Sequence, residues 1–209
     1  MGKPNTMRPK LDFWYEFAST YSYLAALRIE AAAKERNVDI VWRPFLLGPI
    51  FKVQGWDSSP FNLLPAKGGY MWRDLERLCA AQGLAFRKPD PFPQSSLLAA
   101  RIAWTDQMVI HRPEFSRRVF LAEFAGGGRI DDEAVLAGIL RGLDLDDRAI
   151  IAAARSDRVK LRLRRETDEA IRLGLFGAPS FVTADGEIFW GNDRLDAALD
   201  WAASKAEAL

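Results

Sequence analysis

The strongest constraint in this sequence is the order in which its hydrophobic patterns change along the chain. Leu11-Asp12-Phe13-Trp14-Tyr15-Glu16-Phe17 is mostly aromatic, carries two acids and holds no breaker, which is the pattern of a strand. Tyr21 to Arg36 is rich in Ala, Leu, Glu and Lys and predicts a helix, and Val38 to Leu47 predicts a second strand ending near Gly48-Pro49. A strand, a helix and a strand in about 36 residues leave room for a crossover and predict a parallel pair. The pattern then changes to six helices: Trp72–Gln82, Ser95–Met108, Pro113–Phe124, Asp132–Leu140, Asp146–Ser156 and Asp157–Leu173. Gly83, the run Pro89-Asp90-Pro91-Phe92-Pro93, Pro113 and Gly126-Gly127-Gly128 punctuate them. Strand patterns resume at Ser180–Ala184 and Glu187–Trp190, flanking the hairpin signal Asp185-Gly186, and a last helix runs from about Asp193 to Ala206.

Removing the helical stretch leaves β-α-β-α-β-β-α, which is thioredoxin-like topology. The expected fold class is therefore α/β: a thioredoxin-like fold with a large all-helical insertion between the β-α-β and the C-terminal β-β-α parts. Residues 11–55 and 170–209 would form the discontinuous thioredoxin-like domain, and residues 56–169 the helical insertion domain.

Composition removes several function classes. Twenty-nine basic against 28 acidic side chains give a net charge of +1, so no nucleic-acid or anionic-membrane footprint is expected. The cluster Lys160, Arg162, Arg164 and Arg165 is followed by Glu166, Asp168 and Glu169 and reads as a solvated helix face. No apolar run reaches the roughly 18 residues that cross a bilayer. Met1 to Lys10 has no apolar h-region and reads as a loose leader, so the expected location is cytoplasmic. Cys79 is the single cysteine and cannot run a dithiol cycle; at helical spacing with Leu75 and Leu78 it reads as a buried structural thiol. His111 is the single histidine, which removes a His-rich metal site and leaves it as a surface or partly buried residue.

In a thioredoxin-like fold the loop after the first strand delivers a short motif to the N-terminus of the first helix. Free N–H groups and the helix dipole there favour an anion, a thiolate in particular. Redox members carry C-x-x-C at this point; this chain carries Ser19-Thr20-Tyr21-Ser22. A serine hydroxyl cannot exchange disulfides, but it can donate to a thiolate carried by something else, or simply cap the helix. Gly177-Ala178-Pro179-Ser180 precedes the strand that should face this helix. A cis Ala178–Pro179 bond is expected there, turning the Ala178 backbone toward a peptide-like ligand. In Trp190-Gly191-Asn192-Asp193-Arg194-Leu195, Asn192 and Asp193 open the last helix, either as caps or as partners for the ends of an amino acid.

The segment Asp12-Phe13-Trp14-Tyr15-Glu16-Phe17-Ala18-Ser19-Thr20-Tyr21-Ser22-Tyr23-Leu24-Ala25 resembles the opening of the 2-hydroxychromene-2-carboxylate isomerases, whose usual form is D-F-x-F-D-F-x-S-P-Y-S-Y-L-A. These are relatives of kappa-class glutathione transferases and DsbA-type oxidoreductases. Leu63 to Met71 is similar to a family segment that lies along bound glutathione, and Phe176–Val182 with Gly191–Leu195 is similar to the C-terminal motif. The resemblance implies glutathione as cofactor. Ser19 would hold its thiolate, the Ala178 backbone before Pro179 would pair with the cysteinyl unit, Asn192 and Asp193 would take the γ-glutamyl end, and Lys67 the glycyl carboxylate. Trp14, Tyr15 and Trp42 are candidates for aromatic walls or for core packing. Thr20 replaces the family's usual proline. The family's asparagine-bearing segment falls on Ser58-Ser59-Pro60-Phe61-Asn62, where Asn62 or one of the serines would supply the polar group.

The implied activity is interconversion of hemiketals of the 2-hydroxychromene-2-carboxylate type and trans-o-hydroxybenzylidenepyruvate in naphthalene-type catabolism, by reversible addition of glutathione thiolate. A small aromatic substrate and a homodimer go with it. The alternatives are a kappa-like glutathione transferase and a non-redox thioredoxin-like module that binds extended peptides.

Overall fold

A computed structural model describes residues 8–206; the leader expected before the first strand lies, up to residue 7, outside the described residues. Strand β1 (Lys10–Tyr15) is followed by helix α1 (Thr20–Glu35) and strand β2 (Asp39–Pro44). The β1–β2 pair is parallel, as the crossover length requires. Eight helices then run from α2 (Leu47–Val53) and α3 (Pro60–Leu63) through α4 (Pro65–Gln82), α5 (Leu97–Ala103), α6 (Arg112–Phe124), α7 (Glu133–Arg141) and α8 (Asp147–Ala154) to α9 (Asp157–Arg172). β3 (Ser180–Thr183) and β4 (Ile188–Trp190) form the hairpin at Asp185-Gly186, and α10 (Leu195–Ala206) closes the fold. The sheet order is β2-β1-β3-β4, with β3 antiparallel to both neighbours. This is a thioredoxin-like fold, with the helices inserted between β2 and β3.

Strand periodicity divides the sheet into two buried faces. Leu11, Phe13 and Tyr15 of β1 and Phe181 of β3 enter a large core shared with α1, α10 and the inserted helices. Trp14 and Val182 point the other way, into a smaller cluster with Phe45, Ile50 and Ala170. Cross-strand aromatic pairs lock the register: Phe13 stacks on Phe181 at 5.5 Å and meets Trp42 edge-on at 5.0 Å. Trp14, Tyr15 and Trp42 are thus core residues, at most 4% exposed. Cys79 is also buried, and burial pushes its thiol up to about 11, as suits a structural cysteine.

Several boundaries differ from the sequence reading. β2 stops at Pro44, which has no N–H to continue a ladder, and Leu47 begins a helix instead of ending a strand. Helix α4 begins at Pro65, not Trp72. Gly68 and Gly69 look like breakers, but a side chain on Gly68 would collide with the Phe61 carbonyl of α3. That glycine lets the N-terminus of α4 close on α3. The expected helix Ser95–Met108 is α5 plus a short 3-10 turn at Asp106–Met108. Between them Arg112 Nε donates to the Ala103 carbonyl at 2.7 Å and Trp104 Nε1 to the Pro44 carbonyl at 2.8 Å, so tertiary partners take over where the helix breaks.

Candidate functional site

A cleft of about 980 Å³ lies where the N-terminus of α1, the β3 approach, the N-terminus of α10 and the α2–α4 region converge. Ser19 lines it. Its backbone is extended (φ −89°, ψ 117°) and its Oγ accepts the Ser22 N–H at 3.2 Å, so it is the N-cap of the 16-residue helix α1. The same hydroxyl donates across the cleft to the Ala178 carbonyl at 3.0 Å. The Ala178–Pro179 bond is cis, as expected from its position; Asp90–Pro91 and Phe92–Pro93 are cis as well. Ser19 is therefore a cap and a cleft-facing donor at once. Helix geometry leaves the Thr20 and Tyr21 N–H groups at this end without intrahelical acceptors, and no acid occupies the first turn.

The two neighbouring hydroxyls are withheld in different ways, and the Ser22 Oγ has no hydrogen-bond partner among the described residues. Thr20, 2% exposed, donates to Met71 Sδ at 3.3 Å, and Ser22 is fully buried and does not line the cleft. Of the S-x-x-S pair only Ser19 is presented to a ligand.

Asn192 and Asp193 are brought to the cleft wall by the 3-10 turn Asn192–Arg194. Arg28 of α1 donates through Nε to Asn192 Oδ1 at 3.1 Å and pairs with Asp196 at 2.8 Å. The Asn192 carbonyl side is thereby occupied, and its NH2 remains for an acceptor. Asp193 is exposed, and Lys67 on α4 lines the same cleft with Nζ over the Phe61 ring at 5.6 Å. Pro179 is buried behind Ala178 and its carbonyl accepts the Gly191 N–H at 2.9 Å, tying the two wall segments together.

Asn62 is not brought to this cleft. It donates to Ser58 Oγ at 3.3 Å and lines a separate depression with Trp72, Lys88 and Asp90. Phe61 takes the cleft side of α3, against Tyr21 at 6.4 Å, and the next residue is turned about 100° around the helix. Ser58 and Ser59 do line the cleft.

Other cleft residues escaped the sequence reading. The aromatic lining includes Tyr21, Phe61, Tyr70, Phe92, Phe176 and Trp190, contributed by separate segments, and none of Trp14, Tyr15 and Trp42. Tyr21 donates to Asp74 Oδ2 at 3.0 Å; burial first, and this bond second, hold its phenol protonated. Glu16 also lines the cleft although it is only 7% exposed, and burial pushes its carboxyl up to about 7. The one signal for it in the sequence is an acid set among aromatics directly after the strand.

A thioredoxin-type sheet whose first helix opens on a serine, facing an X-Pro turn across an aromatic cleft, defines a thioredoxin-fold protein with hydroxyls where redox members carry a dithiol. The family model for DsbA-like thioredoxin domains matches residues 10–201, and the chain belongs to that family. It is 30% identical over 197 residues, 91% of this chain and 96% of the relative, to a 2-hydroxychromene-2-carboxylate isomerase of Sphingobium xenophagum. It is 28% identical over 212 residues, 94% of this chain and 92% of the relative, to glutathione S-transferase kappa 2 of Caenorhabditis elegans. The solved structure of a 2-hydroxychromene-2-carboxylate isomerase superposes with a TM-score of 0.82 at 24% identity, over 96% of this chain and 99% of that one. These relatives place the chain in a DsbA-like family of isomerases and transferases. Among the described residues no helix is long and apolar enough to cross a membrane.

One expected result follows from the pair of serines. With Cys79 buried and no second cysteine, the protein will not accelerate reduction of insulin by dithiothreitol. Turbidity traces with and without protein should superimpose.

Proposed function

We propose that the protein is a glutathione-dependent isomerase of conjugated aromatic acids, interconverting 2-hydroxychromene-2-carboxylate-type hemiketals and trans-o-hydroxybenzylidenepyruvate. The observation that carries this reading is the Ser19 hydroxyl at the N-terminus of α1, aimed into an aromatic cleft beside Ala178.

The donor set fits glutathione group by group. A thiolate is met by the Ser19 hydroxyl and the open N–H groups of α1. The exposed carboxylate of Asp193 suits the α-ammonium of the γ-glutamyl unit, and the Asn192 NH2, its carbonyl held by Arg28, suits the α-carboxylate. Lys67 suits the glycyl carboxylate, and the Ala178 backbone the cysteinyl unit. When bound, glutathione supplies a thiolate that adds reversibly to the conjugated, ring-opened acid, allows rotation about the resulting single bond and leaves again unchanged. The protein's part is to orient the thiol, to present aromatic faces such as Tyr21, Phe61 and Trp190 to the ring, and to narrow the access of water.

The test is product analysis with the ring-opened acid as substrate. Isomerised acid with full recovery of glutathione is expected. A stable glutathione conjugate makes the protein a kappa-like transferase, and thermal stabilisation by an extended peptide but not by glutathione makes it a binding module.

A further inference from the structure

We propose that Glu16 is the proton acceptor of this site: its carboxylate takes the S–H proton of a thiol bound at Ser19 and returns it when the ligand leaves. The assignment rests on the glutathione reading above and goes beyond it, since neither Ser19 nor a helix N-terminus can accept a proton.

The geometry singles out this acid. Glu16 follows β1 directly and belongs to the same tight turn as Ser19, whose N–H donates to the Glu16 carbonyl at 3.0 Å. Its carboxylate is held by the Ser96 hydroxyl, which donates to Oε1, and by the Ala18 backbone. Glu16 and Ser96 are both buried, yet both line the cleft. Among the described residues no basic side chain pairs with Glu16. The other cleft acids differ: Asp74 receives Tyr21 and Arg77, Asp193 lies beside Arg194, and Asp57 is exposed. The remaining charged neighbour is Glu123 of α6, fully buried, with neither carboxyl oxygen hydrogen-bonded among the described residues. It in turn feels the charge of Glu16 and Asp131.

In the transfer the S–H bond breaks with its electron pair staying on sulfur, and an O–H bond forms on Glu16. Two acids then share one proton, and the charge of the cleft is unchanged. An ordinary glutamic acid is about four units more acidic than a thiol near 8.5, so transfer to it would be disfavoured about 10⁴-fold. Glu16 titrates at about 7, which reduces the factor to roughly 30. The Ser19 hydrogen bond and the α1 N-terminus can offset a gap of that size.

Counting protons distinguishes this from a structural role. Glutathione binding would be followed by calorimetry in buffers of different ionisation enthalpy at about pH 8, with ultraviolet absorbance reporting the thiolate. There a free thiol is about one-quarter ionised and Glu16 about nine-tenths. S-methylglutathione, which has no thiol proton, supplies the baseline. The wild-type protein is expected to form thiolate with almost no net proton release. Glu16→Gln is expected to release about three-quarters of a proton per thiolate formed. Ser96→Ala keeps the carboxylate and removes a bond that lowers its pKa, so proton retention should extend to higher pH, and this variant decides the matter if Glu16→Gln does not fold. Thiolate formation with the same proton release in wild type and Glu16→Gln, a Ser96→Ala profile superimposable on wild type, or wild-type binding without a thiolate signal overturns the assignment of Glu16 alone. Failure of glutathione to bind wild type overturns the glutathione reading and this assignment with it.

Discussion

Ser19→Ala is expected to raise the apparent pKa of protein-bound glutathione by about one unit and to cut turnover at neutral pH correspondingly. A thiol near 8.5 is only about 3% ionised at pH 7, and lowering its pKa by two units needs roughly 2.7 kcal/mol. A helix N-terminus typically contributes about 0.3–1 kcal/mol. A hydrogen bond to a charged group contributes about 1.5–3 kcal/mol, but the Ser19 proton already serves the Ala178 carbonyl at 3.0 Å. Re-aiming it at sulfur exchanges a neutral bond, about 0.5–1.5 kcal/mol, for a charge-assisted one. The net is on the order of 1–1.5 kcal/mol, or about one pKa unit. The alanine variant also loses the cap on Ser22 N–H, at about 0.5–2 kcal/mol of stability, so the protein should remain folded. The measurement is the pH dependence of thiolate absorbance and of turnover in both proteins. An unchanged thiol pKa with full activity would reduce Ser19 to a helix cap, and the backbone N–H groups of α1 would have to suffice, since Thr20 is held by Met71 and Ser22 is buried.

The second large effect is on stability. Wild-type stability should fall as pH rises from about 4.5 to about 7, by as much as about 3 kcal/mol from Glu16 alone. The cause is burial, which outweighs the hydrogen bonds from Ser96 and Ala18 and holds the folded-state pKa above its unfolded value. Between those two pH values the unfolded chain has lost this proton and the folded chain still carries it, so rising pH favours unfolding. Glu123, also raised by burial, acts with the same sign and extends the fall upward. Glu114 and Asp131, held low by hydrogen bonds from Arg118, Arg117 and Arg129, act in the opposite direction at lower pH. Glu16→Gln removes the Glu16 component. The stability difference between variant and wild type should then change by about 3 kcal/mol between roughly pH 5 and 8. A constant cost of the buried amide cancels from that difference. Denaturant unfolding at both pH values measures it, and parallel pH profiles would show that Glu16 has an ordinary pKa.

How much of this was legible in the sequence differs between fold and site. The hairpin at Asp185-Gly186, the parallel β1–β2 pair and the long helices were readable because their signals are local: turn chemistry, crossover length and periodic apolar residues. The Ser19 and Ala178–Pro179 positions were readable because topology alone brings the start of the first helix opposite the approach to the third strand. Helices α2 and α3 and the first two turns of α4 were not. Pro60, Pro65, Gly68 and Gly69 read as breakers when the only information is local, whereas Pro at the first turn and Gly at a close helix approach are compatible with a helix. Asn62 shows the same limit at a site residue, because which side of a four-residue helix faces the cleft is settled by Phe61 packing toward Tyr21. Of the two assignments open to Trp14, Tyr15 and Trp42, core packing is the one found: β1 is buried on both faces, so its aromatics fill cores and leave the cleft to residues of other segments.

By itself the sequence determined the order and pairing of the elements, the absence of a dithiol, and the residue types at the mouth of α1. Tertiary structure decided which of those residues a ligand can reach and how acidic they are. Glu16 is an unremarkable glutamate in the chain; the burial that distant segments impose on it pushes its carboxyl up to about 7, against the lowering effect of the hydrogen bond from Ser96, 80 residues away. Desolvation depends on everything packed around a group, and that is fixed only when distant segments meet.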